Sequence, residues 1–316
     1  MGTPEFAVES LKAIHENGFT VSAVVTSCDK PAGRGMKLQE SAVKVYAQEM
    51  GLKVLQPENM KSDAFSNELN AIDPDLQVVV AFRMLPESVW SLPKKGTINL
   101  HASLLPNYRG AAPINHAIMN GETKTGLTTF FIEKEIDTGN IILQKEVEIL
   151  PDENAGELHD KLMIEGGKLV IETLNAIITG TVNPVSQRQL IGENETFKTA
   201  NKIFKENCIV RWNDTAENVY NFIRGLSPYP AAWTTLKNKN GKELTVKLLR
   251  AGKSIENHNL RCATILSDNK TFFKVAVCDG FIDIIELQPE GKKQMKTGDW
   301  LNGFDVSNFS VKDPSF

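Results

Sequence analysis

The chain has 316 residues, is 41% hydrophobic and 23% charged, and carries a formal net charge of −4. That length predicts two domains with real cores. There is no apolar run near the roughly 20 residues of a membrane helix, and no basic-then-apolar leader in Met1 to Ser10, so neither a membrane helix nor a secretion signal is expected.

Residues 5–17 are predicted as a helix, with Phe6, Leu11 and Ile14 among its apolar positions. Residues 20–26 follow as a strand, and 41–50 as a second helix. The stretch 76–82 (LQVVVAF) is nearly all apolar, as expected of a parallel strand buried on both faces. A short helix at 86–90 and a strand at 97–101 come next. Residues 113–119 form a helix with proline in its first turn. Strands at 126–132 and 141–149 and a long amphipathic helix at 156–179 complete the alternation. This grammar predicts an α/β, doubly wound and mostly parallel sheet over residues 1–180.

Residues 181–203 are polar, contain Pro184 and are expected as a linker. Beyond them the pattern changes to short strands at 208–212, 231–236, 243–250, 261–267, 271–278 and 281–287. One helix is expected at 215–225, with Asp214 and Glu217 placed as a capping box. Cys278-Asp279-Gly280-Phe281 reads as a hairpin turn. Several strands and one helix over 204–316 predict a small β-barrel of the oligonucleotide-binding type.

Charge is unevenly spread. Residues 133–165 hold ten acidic and three basic side chains, whereas 237–253 hold six basic and one acidic. Lys30, Arg34 and Lys37 share a short stretch with no acid. Such asymmetry fits either a polyanion-binding side or a solvated lysine-rich face.

No dinucleotide fingerprint, phosphate loop or nucleophile elbow is present, so neither a nucleotide cofactor nor a serine hydrolase is expected. The cysteines, Cys28, Cys208, Cys262 and Cys278, are scattered, which predicts free thiols and no metal centre. The most informative chemistry lies at Asn99-Leu100-His101. Strand alternation puts Asn99 and His101 on one face, at the end of a strand, where open sheets build their sites. Asp137, in Ile136-Asp137-Thr138-Gly139, is either turn material or a carboxylate held on a loop between rigid strands. Arg109-Gly110-Ala111-Ala112-Pro113 leads small residues into a helix amino terminus, which suits either a ligand's approach or close packing.

Asn99, His101, Ser103-Leu104-Leu105-Pro106, Arg109-Gly110-Ala111-Ala112-Pro113-Ile114 and Asp137-Thr138-Gly139 together resemble the folate-dependent formyltransferases. With Gly2-Thr3-Pro4-Glu5-Phe6-Ala7 and Lys30-Pro31-Ala32-Gly33-Arg34-Gly35, the resemblance is closer to the branch acting on initiator tRNA. It implies a Rossmann-like formyltransferase domain followed by a tRNA-binding barrel. It implies transfer of formyl from 10-formyltetrahydrofolate, a co-substrate, to the methionine amino group of initiator methionyl-tRNA. Asn99, His101 and Asp137 are then catalytic. Ser103, Leu104, Leu105 and Pro106 hold the folate, and Phe82, Arg83, Met84 and Leu85 line its pterin pocket. Lys30, Arg34 and Lys37 grip the tRNA. The expected protein is a cytoplasmic monomer with neither metal nor nucleotide cofactor. Alternative acceptors are glycinamide ribonucleotide and an amino-sugar nucleotide; a further alternative is a non-catalytic RNA-binding protein on the same fold. In the family a strand precedes Gly2-Thr3-Pro4. It is missing here, so the sheet is expected to lack its central strand.

Overall fold

The computed structural model describes residues 1–32, 37–190 and 196–312. In chain order its first elements are α1 (Glu5–Glu16), β1 (Val24–Val25), β2 (Lys30–Ala32), β3 (Lys37–Gln39), α2 (Ala42–Glu49) and β4 (Val54–Leu55). Then come α3 (Asp63–Ile72), β5 (Gln77–Val80), α4 (Glu87–Trp90), β6 (Thr97–His101), β7 (Arg109–Gly110), α5 (Pro113–Met119), β8 (Lys124–Phe131), β9 (Ile141–Glu148) and α6 (Ala155–Thr179). The remainder holds β10 (Thr199–Ala200), α7 (Ala216–Leu226), β11 (Ala232–Asn238), β12 (Glu243–Ile255), β13 (Ile265–Ser267) and β14 (Phe273–Val277). It closes with β15 (Gly280–Pro289), β16 (Met295–Lys296), α8 (Thr297–Leu301) and β17 (Phe309–Lys312).

The chain packs as two compact units. One comprises 1–110, 125–148 and 159–199; the other comprises 111–124, 149–158 and 200–316. In the first, β1 pairs with β4 and β5 with β6, both in parallel. β6 pairs antiparallel with β8, and β9 lies outside β8. The expected gap at the sheet's centre is partly closed. Gly2 forms a parallel bridge with Val80 and donates its N–H to Val25 O at 3.1 Å. The Met1 nitrogen donates to Val78 O at 2.6 Å, and Val80 N–H donates to Met1 O at 2.9 Å. Two residues thus tie β1 to β5 where a longer central strand was expected. A groove of about 710 Å³ lies beside them, lined by 19–25, 74–78, Ser10 and Ile178 among others. Ser10 Oγ and Gln77 Nε2, both buried on this groove, have no hydrogen-bond partner among the described residues.

Local chemistry explains the flanking helices. Ser41 caps α2 by accepting from Lys44 N–H, and Ser62 caps α3 by accepting from Phe65 N–H. Val25, Leu55, Phe65, Leu69, Val79, Leu85 and Val89 form one buried cluster. α6 meets the sheet through Thr173 Oγ1, 2.8 Å from Thr129 Oγ1 on β8.

In the second unit β13, β14, β15, β12, β11 and β17 form one antiparallel sheet, with β16 added to β15. β13 and β17, its edge strands, also approach one another, leaving a nearly closed barrel. Trp212, Ile223, Leu236, Val246, Phe273, Ile282 and Trp300 lie within its core. Trp212 satisfies its buried indole N–H on Thr234 Oγ1 at 3.1 Å. The expected strand at 208–212 is a single bridge, Ile209 to Trp233. Thr215, not Asp214, caps α7, accepting from Asn218 N–H at 3.2 Å. β16 and β17 escape the sequence pattern because each is short.

Candidate active site

β6 delivers Asn99 and His101 to the carboxyl end of the parallel pair β5–β6. Asn99 is half-buried, and its side-chain amide bonds to no other described residue. His101 is 6% exposed. Its Nε2 lies 2.8 Å from Tyr108 O. A carbonyl can only accept, so Nε2 carries the proton and Nδ1 is left for chemistry. Nδ1 faces Asp137 Oδ2 at 3.9 Å, too far for a direct hydrogen bond. The same Oδ2 accepts from Gly110 N–H at 2.9 Å. A carboxylate and an imidazole edge therefore meet here, with the Asn99 amide two residues back along β6.

Two residues around the imidazole hold left-handed backbone: Tyr108 at φ +60° and Asp137 at φ +55°. For residues with a side chain that conformation stores roughly 1–3 kcal/mol each and marks a site that fixes geometry. Gly139 keeps the Asp137 loop close to β8; a Cβ there would lie 1.7 Å from Phe131 O.

Gln187, in the stretch expected as a linker, is 1% exposed. Its Nε2 donates to Asp137 O and Gly139 O, both at 2.9 Å. Its Oε1 accepts from Arg109 Nε at 3.0 Å and Nη2 at 2.6 Å. One amide thus ties the Asp137 loop to Arg109. Burial pushes the Arg109 guanidinium below its ordinary pKa, while Asp137 and Glu135 oppose that shift. Nothing in the sequence around Gln187 signalled this role, because a glutamine in a polar tract has no pattern of its own. Tyr108 escaped for the same reason: its contribution is a backbone carbonyl.

The 103–106 segment follows β6 and lies beside the site. Ser103 Oγ donates to Asn107 O at 2.7 Å, and Thr128 Oγ1 donates to Ser103 O at 2.7 Å. Leu105 N–H donates to Thr128 Oγ1, and Gln144 Nε2 to Leu105 O at 2.9 Å. Leu105 packs with Phe130 and Ile141, whereas Leu104 and Pro106 are half-buried. The parallel register Val80–Leu100 brings the segment after β5 to the same edge of the sheet. There Leu85 is buried, Phe82 is half-buried and Met84 is 71% exposed. Arg83 donates to Pro57 O and Glu58 O. Lys30 is exposed on β2. Arg34 and the Lys37 side chain lie outside the described residues. No group of His, Cys, Asp and Glu among the described residues could hold a metal ion.

Residues 1–174 match the formyl transferase family model, and 202–305 match its C-terminal domain model. The chain belongs to the formyl transferase family. It is 53% identical over 308 residues to the methionyl-tRNA formyltransferase of Bacteroides thetaiotaomicron, covering 98% of this chain and 95% of that relative. It is 52% identical to the enzyme of that name from Flavobacterium johnsoniae, covering 98% and 96%. Among solved structures, the sugar 3N-formyl transferase WlaRD superposes with a TM-score of 0.61 at 20% identity, covering 92% and 97%. HypX from Aquifex aeolicus, solved with tetrahydrofolic acid, gives 0.55 at 20% identity, covering 83% and 47%. At these identities the solved structures establish the formyl transferase fold. No described helix is long and apolar enough to cross a membrane.

Proposed function

We propose that this formyl transferase moves the formyl group of 10-formyltetrahydrofolate onto the methionine amino group of initiator methionyl-tRNA, in the cytoplasm. The observation that supports the chemistry is the approach of His101 Nδ1 and the Asp137 carboxylate to 3.9 Å, with Asn99 two residues before His101 on the same strand. The acceptor is supported by relatives of about half-identical sequence that carry a methionyl-tRNA formyltransferase name.

The neutral amine attacks the formyl carbon, and the carbonyl oxygen gains negative charge. The Asn99 amide, whose hydrogens are uncommitted, donates to that oxygen; one such preorganised donor is worth about 3 kcal/mol. His101 donates to the same oxygen through Nδ1 when that nitrogen carries a proton, with the Asp137 carboxylate 3.9 Å away. As the tetrahedral intermediate collapses, the bond from carbon to folate N10 breaks. The attacking nitrogen loses its proton to the Asp137 side, directly or through a water, and N10 gains one. Formyl-methionyl-tRNA and tetrahydrofolate leave. Phe82 and Leu104 offer apolar surface to the folate rings, and Lys30, Arg34 and Lys37 offer cations to the tRNA phosphates.

The test is transfer from 10-formyltetrahydrofolate to charged initiator tRNA, with glycinamide ribonucleotide and an amino-sugar nucleotide assayed in parallel. The reading predicts product on the tRNA alone. Product on a small acceptor with none on tRNA contradicts it.

A further inference from the structure

Asp29 and Glu40 bracket the β2–β3 hairpin, Asp29 immediately before Lys30 and Glu40 immediately after Gln39. Both carboxylates meet one cation. Lys44 Nζ lies 2.5 Å from Asp29 Oδ2 and 2.8 Å from Glu40 Oε1. The Lys44 side chain is 12% exposed, so this is no loose surface pair. The second oxygen of Asp29 accepts from Gln56 Nε2 at 2.8 Å, and that amide also donates to Ser27 O at 2.8 Å. Lys44 itself sits in the first turn of α2, whose cap Ser41 bonds Thr26 Oγ1 at 2.7 Å, one residue past β1. A continuous chain of contacts thus runs from the sheet through α2 to both ends of the hairpin.

An isolated Glu–Lys pair one helical turn apart contributes a few tenths of a kcal/mol. The arrangement here differs in kind. One ammonium closes the base of a hairpin by holding the residue on either side of it. Hydrogen bonds from Lys44 and then Gln56 hold the Asp29 carboxyl below its ordinary range, so it stays charged. Removal of Lys44 leaves two carboxylates facing each other at that base with no cation between them. Register within the hairpin, Lys30 opposite Gln39 and Ala32 opposite Lys37, survives through its backbone pairing. What the ammonium adds is a tie from both ends of the β2–β3 pair to α2.

We infer that Lys44 is a positioning residue for tRNA: it anchors both ends of the paired strands β2 and β3 on α2 and so sets where Lys30 meets the phosphate backbone. This rests on the reading that the hairpin faces the acceptor tRNA. Lys44 touches no reacting atom.

Steady-state transfer is measured with tRNA varied at saturating folate and with folate varied at saturating tRNA, for Lys44→Met, Lys44→Arg and Glu40→Gln. Lys44→Met raises the tRNA KM roughly ten-fold while kcat and the folate KM stay within about two-fold, the pattern of a misplaced binding element. Lys44→Arg restores most of the loss, because a guanidinium can still bridge two carboxylates. Glu40→Gln, which keeps half of the clamp, gives an intermediate tRNA KM and serves as the readout if Lys44→Met does not fold. An unchanged tRNA KM in Glu40→Gln, or in a folded Lys44→Met, overturns the inference. So does an equal rise in the folate KM. A wild-type protein that formylates no tRNA overturns the functional reading itself; an active wild type with an insensitive Lys44 overturns the clamp alone.

Discussion

His101 is held between two different demands. Tyr108 O fixes one ring nitrogen as a donor, and Asp137 Oδ2 stands 3.9 Å from the other. That spacing leaves room for an atom of the reaction rather than a permanent bond. Gly110 N–H holds the carboxylate, and Gln187 holds the backbone of the loop that carries it. Gln187→Ala leaves Asp137 O, Gly139 O and the Arg109 guanidinium without this partner, three polar groups in a region where burial is already felt. Losing buried hydrogen bonds of this sort costs about 1–3 kcal/mol. The variant is expected to unfold at lower urea and to lose roughly ten-fold in kcat, with both KM values near wild type. Urea titration and steady-state kinetics check it; a wild-type kcat contradicts the role given to Gln187. At this scale Asn99, His101 and Asp137 were legible as candidates, because residue type, strand alternation and a loop carboxylate all carry signals. Gln187 and Tyr108 were not, since one acts from a polar tract and the other through its backbone.

Among the elements, Gly2 and α1 are in close contact. Gly2 lies so near α1 that a Cβ would sit 2.4 Å from Ala7 Cβ and 2.9 Å from Val80 O. Gly2→Ala therefore forces α1 away from the sheet, and overpacking of this kind costs about 1–3 kcal/mol. A lowered urea midpoint with unchanged slope is the expected result. Burial also pushes the Met1 amino group down from 8.0 to about 5. Below pH 5 that amine is charged in the folded chain, and above pH 8 it is neutral in both states. Between these limits the unfolded chain binds the proton and the folded chain does not, so stability rises with pH. Three pKa units correspond to at most about 4 kcal/mol. Acetylating the Met1 nitrogen is expected to remove that part of the slope; identical pH–stability curves for blocked and free chains contradict it. Helices and long strands of the sheet were readable from hydrophobic periodicity. The contribution of Met1 and Gly2 was not, because two residues are too few to show any period, and their pairing is set by the strands on either side.

For the whole molecule, composition and alternation gave the doubly wound sheet and the change to short strands near residue 204. The division by packing is less simple than one cut, since 111–124 and 149–158 belong to the same unit as 200–316. Tertiary contacts decide such membership, and a linear pattern cannot record them. The Asn99–His101–Asp137 constellation is the proposed centre of formyl transfer to an aminoacyl-tRNA. The most direct measurement is single-turnover transfer from 10-formyltetrahydrofolate to charged initiator tRNA by the wild-type chain and by His101→Ala, with both substrates saturating. The predicted rate for the variant is at least about a hundred-fold lower, the usual contribution of a placed oxyanion donor. A His101→Ala chain that transfers formyl at the wild-type rate would contradict it.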